Sequence, residues 1–205
     1  YFILILGMTV SRRQELIMEN VWECIIIGGG IAGTQAAIQM GRSQIKCLVI
    51  DSYEAGRSNL CKDYRNIIGW PDGVSGEELR QKGQQQATET SVTFIKAHVN
   101  RITTNNELFQ VNTNDGLHHT KTLLLATGIT DRIPNIPNIR ECLGSTIYIC
   151  TDCDGYEALD KTVIVMGAGD TGASLAISLL NWTDDITYIN HEKKGVSTEL
   201  IDKLN

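Results

Sequence analysis

The chain has 205 residues, of which 42% are hydrophobic and 20% charged, so its composition is that of a globular protein and excludes a disordered or collagen-like chain. The formal net charge of −6 gives no electrostatic reason to expect a nucleic acid or an anionic membrane surface as a partner. The length allows one large domain or two small ones.

The N-terminal segment is predicted to lie outside the folded domains. Its apolar stretch, residues 1–10, is about half as long as the roughly 20 residues of a membrane-spanning helix. Arg12 and Arg13 follow this stretch, whereas a secretory signal has its positive charge first. We therefore expect neither a signal peptide nor a membrane association, and we interpret residues 1–17 as a leader or non-native extension. Six cysteines without a secretory signal do not indicate a disulfide scaffold, and we expect a cytoplasmic protein.

A strand, a glycine-rich turn and a helix open the first predicted domain. The apolar run 24–27 predicts a buried strand, the sequence GGGIAG follows at residues 28–33, and a helical stretch continues through Met40. A second buried strand, 46–51, ends in the carboxylate of Asp51. This order predicts a dinucleotide site, in which the backbone of the turn approaches a pyrophosphate and Asp51 binds a ribose hydroxyl. The alternative is a glycine turn without a ligand.

The remainder of the first domain is predicted as a helix followed by short strands. Ser75 and Glu78 have the capping-box spacing, which predicts a helix over 75–87. Two prolines predict that residues 131–140 form a connector without helix. Between them, short segments predict an antiparallel meander inserted into a parallel α/β fold, with strands at 93–97, 99–103, 107–113 and 120–126.

The opening pattern returns later in the chain. A strand predicted at 162–166 leads into GAGDTG at residues 167–172, a helix at 173–180, a strand at 186–190 and the start of a helix at 197–205. This internal repeat predicts two dinucleotide sites, one for a tightly held cofactor and one for an exchanging one. The further strand that a complete mononucleotide-binding half requires does not follow, so we expect the second domain to be truncated at its C-terminus.

The predicted fold class is therefore α/β, with two Rossmann-like dinucleotide-binding domains of which the second is incomplete. The first domain spans 18–132 and contains the antiparallel meander. A connector spans 133–141, and the second domain spans 142–205.

Cys150 and Cys153 are the only cysteine pair with CxxC spacing. Two thiols at this spacing transfer electrons by closing and reopening a disulfide, or they bind a metal. Zinc usually requires four ligands, and the nearest further candidates are Cys142 and the more distant His118, His119 and His191, with no second CxxC pair in the chain. We therefore expect redox chemistry and no metal, with an inert thiol pair as the remaining alternative.

Four motifs, in their order along the chain, resemble the thioredoxin reductase family of low-molecular-weight flavoproteins. They are GGGIAG at 28–33, ATG at 126–128 with Arg132, CTDCDG at 150–155 and GAGDTG at 167–172, and the resemblance covers the chain from about Met18 onward. The resemblance implies FAD in the first domain and NADPH in the second, with NADH as the alternative. The predicted FAD contacts are Gly28, Gly30, Ile31, Ala32, Gly33, Asp51, Asn66, Ala126, Thr127 and Gly128. The predicted nicotinamide nucleotide contacts are Gly167, Gly169, Asp170, Thr171, Gly172, His191, Glu192 and Lys193.

The resemblance also implies roles for the cysteine motif. Cys153 faces the flavin after reduction, Cys150 attacks the disulfide of the substrate protein, and Asp154 protonates the leaving thiolate. For Asp154 the alternative is a turn residue before Gly155. The implied activity is that of a thioredoxin-disulfide reductase, which moves electrons from NAD(P)H through FAD to the cysteine pair and on to a thioredoxin-like protein. The implied assembly is a homodimer, in which the two domains of each chain swing about the connector.

Two segments depart from the family's pattern. Residues 56–59, Gly-Arg-Ser-Asn, stand where the family commonly has Gly-Gly-Gln near the flavin ring. Residues 190–194, Asn-His-Glu-Lys-Lys, stand where the NADPH-dependent members have a His-Arg-Arg cluster for the 2′-phosphate. The choice between NADPH and NADH is therefore open. The alternative functions are a small-molecule dithiol oxidase of the same fold and a non-catalytic nucleotide-binding fragment.

Overall fold

The computed structural model describes residues 21–54, 56–105 and 107–204. The leader predicted for residues 1–17 lies outside the described residues. The chain divides into two compact units. The first unit holds the described residues up to Asp63 together with Val74–Arg132, and the second holds Tyr64–Gly73 and the residues from Ile133 onward.

The first unit is built on a six-stranded sheet with the strand order β3-β2-β1-β6-β5-β4. Strands β1, β2, β3 and β6 run parallel, and β4 and β5 complete an antiparallel edge beside β6. The strands are β1 (Val21–Ile27), β2 (Cys47–Asp51), β3 (Val92–Lys96), β4 (Val99–Thr104), β5 (Phe109–Thr113) and β6 (Leu117–Leu125). The helices are α1 (Ile31–Arg42), α2 (Arg57–Leu60) and α3 (Gly76–Thr88).

The two central strands are buried on both faces, which explains their continuous apolar sequence. In β1 the side chains of Ile25 and Ile26 point to opposite faces, and both are fully buried. On one face, Ile26 packs with Val49 of β2 and with Ala37 of α1. A strand of this kind needs cover on both sides, so the sheet core fixes α1 against the carboxyl end of β1.

The helix predicted from the capping-box spacing is confirmed. Ser75 is the N-cap of α3, and its hydroxyl accepts a hydrogen bond from the backbone N–H of Glu78 at 3.1 Å.

The prediction for the strand at 93–97 is wrong in one respect, because this strand is not part of the antiparallel meander. Strand β3 pairs with β2 in parallel, with Val92 beside Cys47. The reason is that α3 lies between β2 and β3 in the chain and packs against α1, which makes a β-α-β crossover. Only β4, β5 and β6 form the predicted meander.

The second unit contains a parallel pair, β7 (Val163–Gly167) and β8 (Ile186–Asn190), which are joined through helix α6 (Gly169–Leu179). Its core is formed by Val165 of β7 together with Ala176 and Leu179 of α6. Helix α7 (Thr198–Leu204) packs on α6. Before β7 stand two short helices, α4 (Ile139–Cys142) and α5 (Thr151–Asp154), and the 3₁₀ turn Gly155–Ala158. The predicted α/β class is confirmed.

Helix α4 corrects the prediction of a helix-free connector over 131–140. The helix begins at Ile139, after Pro137 and an N-cap residue, Asn138, in the left-handed conformation with φ 63°. A proline that precedes the N-cap does not remove any hydrogen bond of the helix, so it does not prevent this short helix from forming. In the described part of the chain, no helix combines the length and the apolar character that crossing a membrane requires.

Arg57 and Asp131 form an ion pair with two hydrogen bonds, which joins α2 to the last residues of the first unit. The guanidinium Nε donates to Oδ2 and Nη2 donates to Oδ1, each at 2.8 Å. The hydrogen bonds from Arg57 lower the pKa of the Asp131 carboxyl below its ordinary value. Arg57 belongs to the segment 56–59, where the sequence differs from the family's Gly-Gly-Gln pattern. The ion pair is therefore made by a residue of the segment that differs.

The substitution Asp131→Asn should lower the free energy of unfolding by about 1 kcal/mol at pH 7, since it removes a two-bond ion pair that is partly exposed. The folded-state pKa of Asp131 is depressed, so its stabilisation is present above the ordinary value of about 3.9 and is lost as the pH falls through the folded-state pKa. The difference between wild type and variant should therefore shrink toward pH 3, as urea unfolding would measure. Glu107→Gln, on the exposed surface of the same unit, is the control. A difference that stays constant with pH would contradict the assignment.

Candidate active site

The first glycine turn leaves no room for a side chain at Gly28. Its φ is +103°, and a Cβ atom there would overlap the carbonyl oxygen of Ala126. The N–H of Gly28 donates to the carbonyl of Ile50, and the N–H of Ala126 donates to the carbonyl of Ile27, each at 2.8 Å. The turn is therefore held between the ends of β2 and β6.

Gly30 and Gly33 differ in what surrounds them. A Cβ atom on Gly33 would overlap the carbonyl oxygen of Gly28, so this glycine lets α1 pack onto the turn. At Gly30, a Cβ atom would meet nothing within 4 Å, and φ is −68°, which any residue can adopt. Open space beside a glycine at a helix start is the feature expected where the backbone approaches a pyrophosphate.

Asp51 lies against the first glycine turn. Its Oδ2 accepts a hydrogen bond from the N–H of Gly29 at 2.7 Å, and its Oδ1 accepts one from the N–H of Tyr53 at 2.8 Å. A carboxylate accepts about four hydrogen bonds, and these two bonds use about half of that capacity. The buried hydroxyl of Thr34 donates to the carbonyl of Gly29 at 3.0 Å. The sequence reasoning missed Thr34, although a threonine in the first turn of a helix indicates a side-chain bond to the preceding loop.

The structure brings together most of the predicted FAD contacts in the first unit. Ile31 and Ala32 form the first turn of α1, and residues 126–128 follow β6 directly beside Gly28. Gly128 has φ +65° and has open space at its Cβ position. Asn66 is exposed and falls in Tyr64–Gly73, so the unit that holds the glycine turn does not include it.

The second glycine turn is built from close contacts of its own. A Cβ atom on Gly167 would lie 2.5 Å from the Cα of Gly172, so the first and last glycines of the motif pack against each other. Gly169 has φ +54°. The hydroxyl of Tyr188 donates to the carbonyl of Gly169 at 2.9 Å. Burial and the Asp170 carboxylate raise the pKa of Tyr188, so this hydroxyl keeps its proton.

The loop after β8 is anchored at the start of α6. Oδ1 of Asp170 accepts a hydrogen bond from the N–H of Ser197 at 2.7 Å. Thr171 is exposed on the first turn of the helix.

Asn190 takes the position in the second turn that Asp51 takes in the first. In the first unit, Ile27 pairs with Ile50, so the next residues are the first glycine of the turn, Gly28, and Asp51. In the second unit, the first glycine of the turn, Gly167, pairs with Asn190. Oδ1 of Asn190 accepts from the N–H of Gly169 at 3.2 Å, as Asp51 accepts from Gly29. Sequence reasoning missed Asn190, although its place as the last residue of a strand after a glycine motif was the available signal.

The predicted residues 191–193 lie beside this turn. Nδ1 of His191 is 2.8 Å from the carbonyl oxygen of Gly167. Glu192 places Oε1 at 3.7 Å from Nε2 of His191 and Oε2 at 2.6 Å from Nζ of Lys194. Lys193 has φ +52° and is exposed.

The two cysteines of the CxxC motif lie together at α5. Their sulfurs are 2.7 Å apart, with Cys150 at the N-cap and Cys153 in the helix. Cys150 is half-buried and Cys153 is exposed. Asp154 ends the helix, and its N–H donates to the carbonyl of Cys150 at 3.0 Å. Two thiols this close can close into a disulfide of about 2.05 Å with little movement of the backbone.

A packing contact holds the CxxC segment against the core of the second unit. A Cβ atom on Gly155 would lie 2.6 Å from carbon atoms of the Trp182 ring. Trp182 in turn packs on the core that includes Leu179. The glycine of the CTDCDG motif is therefore required by the indole ring, and sequence reasoning did not find Trp182. Across the described ranges, there is no group of three or more metal-binding side chains.

The model of the pyridine nucleotide-disulphide oxidoreductase family matches residues 22–203 of this chain. The chain belongs to this family. The thioredoxin reductase of Treponema pallidum is 31% identical over 174 residues, which cover 84% of this chain and 57% of that protein. The glucosaminate ammonia-lyase of Pseudomonas fluorescens is 28% identical over 186 residues, covering 88% of this chain and 57% of that protein.

The solved structures agree with this result. The crystal structure of thioredoxin reductase from Streptococcus pyogenes aligns with a TM-score of 0.81 at 28% identity, covering 90% of this chain and 60% of that one. The predicted resemblance to thioredoxin reductases is therefore confirmed. The chain spans about three fifths of the length of these relatives.

The substitution Gly155→Ala should lower the free energy of unfolding of the second unit by about 1–3 kcal/mol, because the new methyl group overlaps the Trp182 ring. Urea unfolding followed by tryptophan fluorescence would measure the loss. Gly195→Ala is the matched control, since its Cβ position is open and its φ is ordinary. If the smaller ring of Trp182→Phe did not restore part of the stability to the Gly155→Ala variant, the contact would not be the cause.

Proposed function

We propose that this chain carries the electron path of a flavin-dependent disulfide reductase, from NAD(P)H through FAD to Cys150 and Cys153 and on to a thioredoxin-like protein disulfide. The observation that carries the proposal is the pair of sulfurs 2.7 Å apart in the same compact unit as a dinucleotide-type glycine turn. A redox dithiol and a nucleotide turn in one unit are the parts that such an electron path needs.

The first glycine turn would hold FAD. The open space at Gly30 fits a pyrophosphate, and the remaining acceptor positions of Asp51 fit the hydroxyls of a ribose. Residues 126–128 border the same turn and would contact the cofactor there. Asn66 is proposed as a further contact on the resemblance alone.

The second turn would hold the nicotinamide nucleotide. Gly167 and Gly172 pack in the manner that this motif requires, and Asp170 and Thr171 stand in the first turn of α6. Together with Gly169, they form the proposed pyrophosphate side of the site. The residues at 191–193 form its ribose side, since they follow β8 directly beside Gly167.

FAD, when bound, accepts a hydride from the nicotinamide and supplies the electron pair that reduces the disulfide. The thiolate of Cys150 then attacks one sulfur of the substrate disulfide and releases the other sulfur as a thiolate, which takes a proton. The thiolate of Cys153 attacks Cys150 in the mixed disulfide, frees the second substrate thiol and restores the Cys150–Cys153 disulfide. Asp154, next to the pair, is the proposed source of the proton for the leaving thiolate.

The partner is proposed to be a thioredoxin-like protein, because the relative in Treponema pallidum and the solved structure from Streptococcus pyogenes are both named thioredoxin reductase. A homodimer and a cytoplasmic location are proposed on the same resemblance.

The substitution Gly30→Val should abolish the retention of FAD, because the valine side chain fills the space in which the backbone meets the pyrophosphate. The fold should be unaffected, since the Cβ position is open and φ is ordinary. Flavin absorbance after purification measures retention, and the melting temperature without flavin is the control for folding. A Gly30→Val protein that kept stoichiometric FAD would contradict the assignment of the first turn.

The variants Cys150→Ser and Cys153→Ser should separate the two thiols. Cys150→Ser should end turnover of a protein disulfide while the thiolate of Cys153 still perturbs the flavin spectrum, and Cys153→Ser should remove both effects. Cys142→Ser, the other cysteine in the second unit, is the matched control and should keep both. Near wild-type turnover in either of the first two variants would exclude the dithiol relay.

Two assays, one of disulfide reduction and one of dithiol oxidation, separate the reductase from a dithiol oxidase. The proposed function predicts reduction of an artificial disulfide with NADH or NADPH as the electron source. A dithiol oxidase would instead consume oxygen with a small dithiol and would need neither nucleotide.

A further inference from the structure

We propose that the second dinucleotide site selects NADH over NADPH, and that Glu192 is the residue that makes the selection. The inference rests on the proposed function, because it assumes that this turn binds a nicotinamide nucleotide. The contacts and charges of residues 190–195 carry it.

The carboxylate of Glu192 is held beside the glycine turn by two side chains, those of His191 and Lys194. His191 contacts Oε1 through Nε2 at 3.7 Å, and its other ring nitrogen lies 2.8 Å from the carbonyl oxygen of Gly167. Lys194 contacts Oε2 at 2.6 Å, and its Cβ lies 3.1 Å from the Cβ position of Gly169. Because His191 contacts Gly167 and the Cβ of Lys194 borders the side-chain position of Gly169, Glu192 lies beside the turn, on the side where the adenosine ribose of a bound nucleotide would lie.

The charges around the turn do not favour a 2′-phosphate. A phosphate dianion needs cationic groups that are available to it, and Lys194 is already bound to Glu192. Lys193 is an exposed point charge without the bidentate geometry of arginine. The carboxylate of Asp170 adds a second negative charge at the start of α6. The two lysines therefore only balance the two acids, and a bound 2′-phosphate would add uncompensated negative charge.

The same arrangement suits a free 2′-hydroxyl. The carboxylate of Glu192 is a hydrogen-bond acceptor, which is the group that a ribose hydroxyl needs and that a phosphate dianion is repelled by. Asn190 supplies no carboxylate, and its amide already bonds within this loop: Oδ1 accepts from the N–H of Gly169, and Nδ2 donates to the carbonyl of Lys194 at 2.6 Å. In the first unit, the strand-end residue Asp51 supplies the carboxylate. In the second unit, Glu192 supplies it two residues later.

The test measures the affinity of the whole chain for NAD⁺ and NADP⁺ by isothermal titration calorimetry, so that no turnover is involved. In wild type, NAD⁺ should bind at least tenfold more tightly, since one charge-assisted contact changes affinity by about ten- to a hundredfold. Glu192→Arg should shift the affinity ratio toward NADP⁺ by at least tenfold, because it removes a repulsion and adds a fork-shaped donor. Glu192→Gln, which removes only the charge, should give a shift of the same sign and smaller size.

Asp184→Arg is the matched control. It makes the same change in charge in the same unit. Asp184 precedes β8, and at 3.3 Å per residue it lies about 20 Å from Asn190, the residue at the end of β8 next to the turn. This control should leave the affinity ratio unchanged. A shift equal to that of Glu192→Arg would mean that overall charge, and not a local contact, sets the preference, and this would overturn the inference.

The remaining outcomes separate the inference from the proposed function. Equal affinities in wild type, or tighter binding of NADP⁺, would overturn the selection of NADH and leave the reductase function standing. If neither nucleotide bound to the wild-type chain, both the inference and the nicotinamide site would be wrong.

Discussion

Two sharp turns with no space for a Cβ atom support the rest of this structure. At Gly28 and Gly33 the backbone packs on a carbonyl oxygen, and at Gly167 it packs on the Cα of Gly172. These contacts draw the start of a helix against the carboxyl end of a strand, and the first backbone N–H groups of that helix have no partner within the helix. The same steric constraint therefore helps to close the hydrophobic core and leaves the backbone N–H groups on which the proposed pyrophosphate contacts depend.

The two turns are similar in backbone and different in charge. The first is lined by the carboxylate of Asp51, which touches the turn directly. The second has the neutral amide of Asn190 in that position, and its carboxylate, Glu192, comes later and carries an ion pair with Lys194. Under the proposed function, the shared backbone of the two turns would contact what the two nucleotides have in common, and the side chains near the strand ends would contact the groups by which they differ.

The redox pair depends on apolar packing as much as on sulfur chemistry. Cys153 lies in a helix of four residues and Cys150 is its N-cap, and a helix this short is not stable by itself. The segment is fixed where Gly155 lies against the ring of Trp182, which belongs to the core of the second unit. The proposed disulfide exchange needs the two sulfurs within bonding reach, so the contact between Gly155 and Trp182 would help to set its geometry.

The sequence by itself determined the elements whose causes are local. Glycine spacing after an apolar run predicted both turns, the capping box at Ser75 predicted a helix, and the CxxC spacing predicted the sulfur pair, since neighbouring residues decide each of these. The tertiary structure decided which distant parts meet. It placed β3 beside β2 in parallel, joined Arg57 to Asp131 across the first unit, and set Trp182 against Gly155. Such partners are chosen by the packing of whole elements, and no spacing along the chain encodes them.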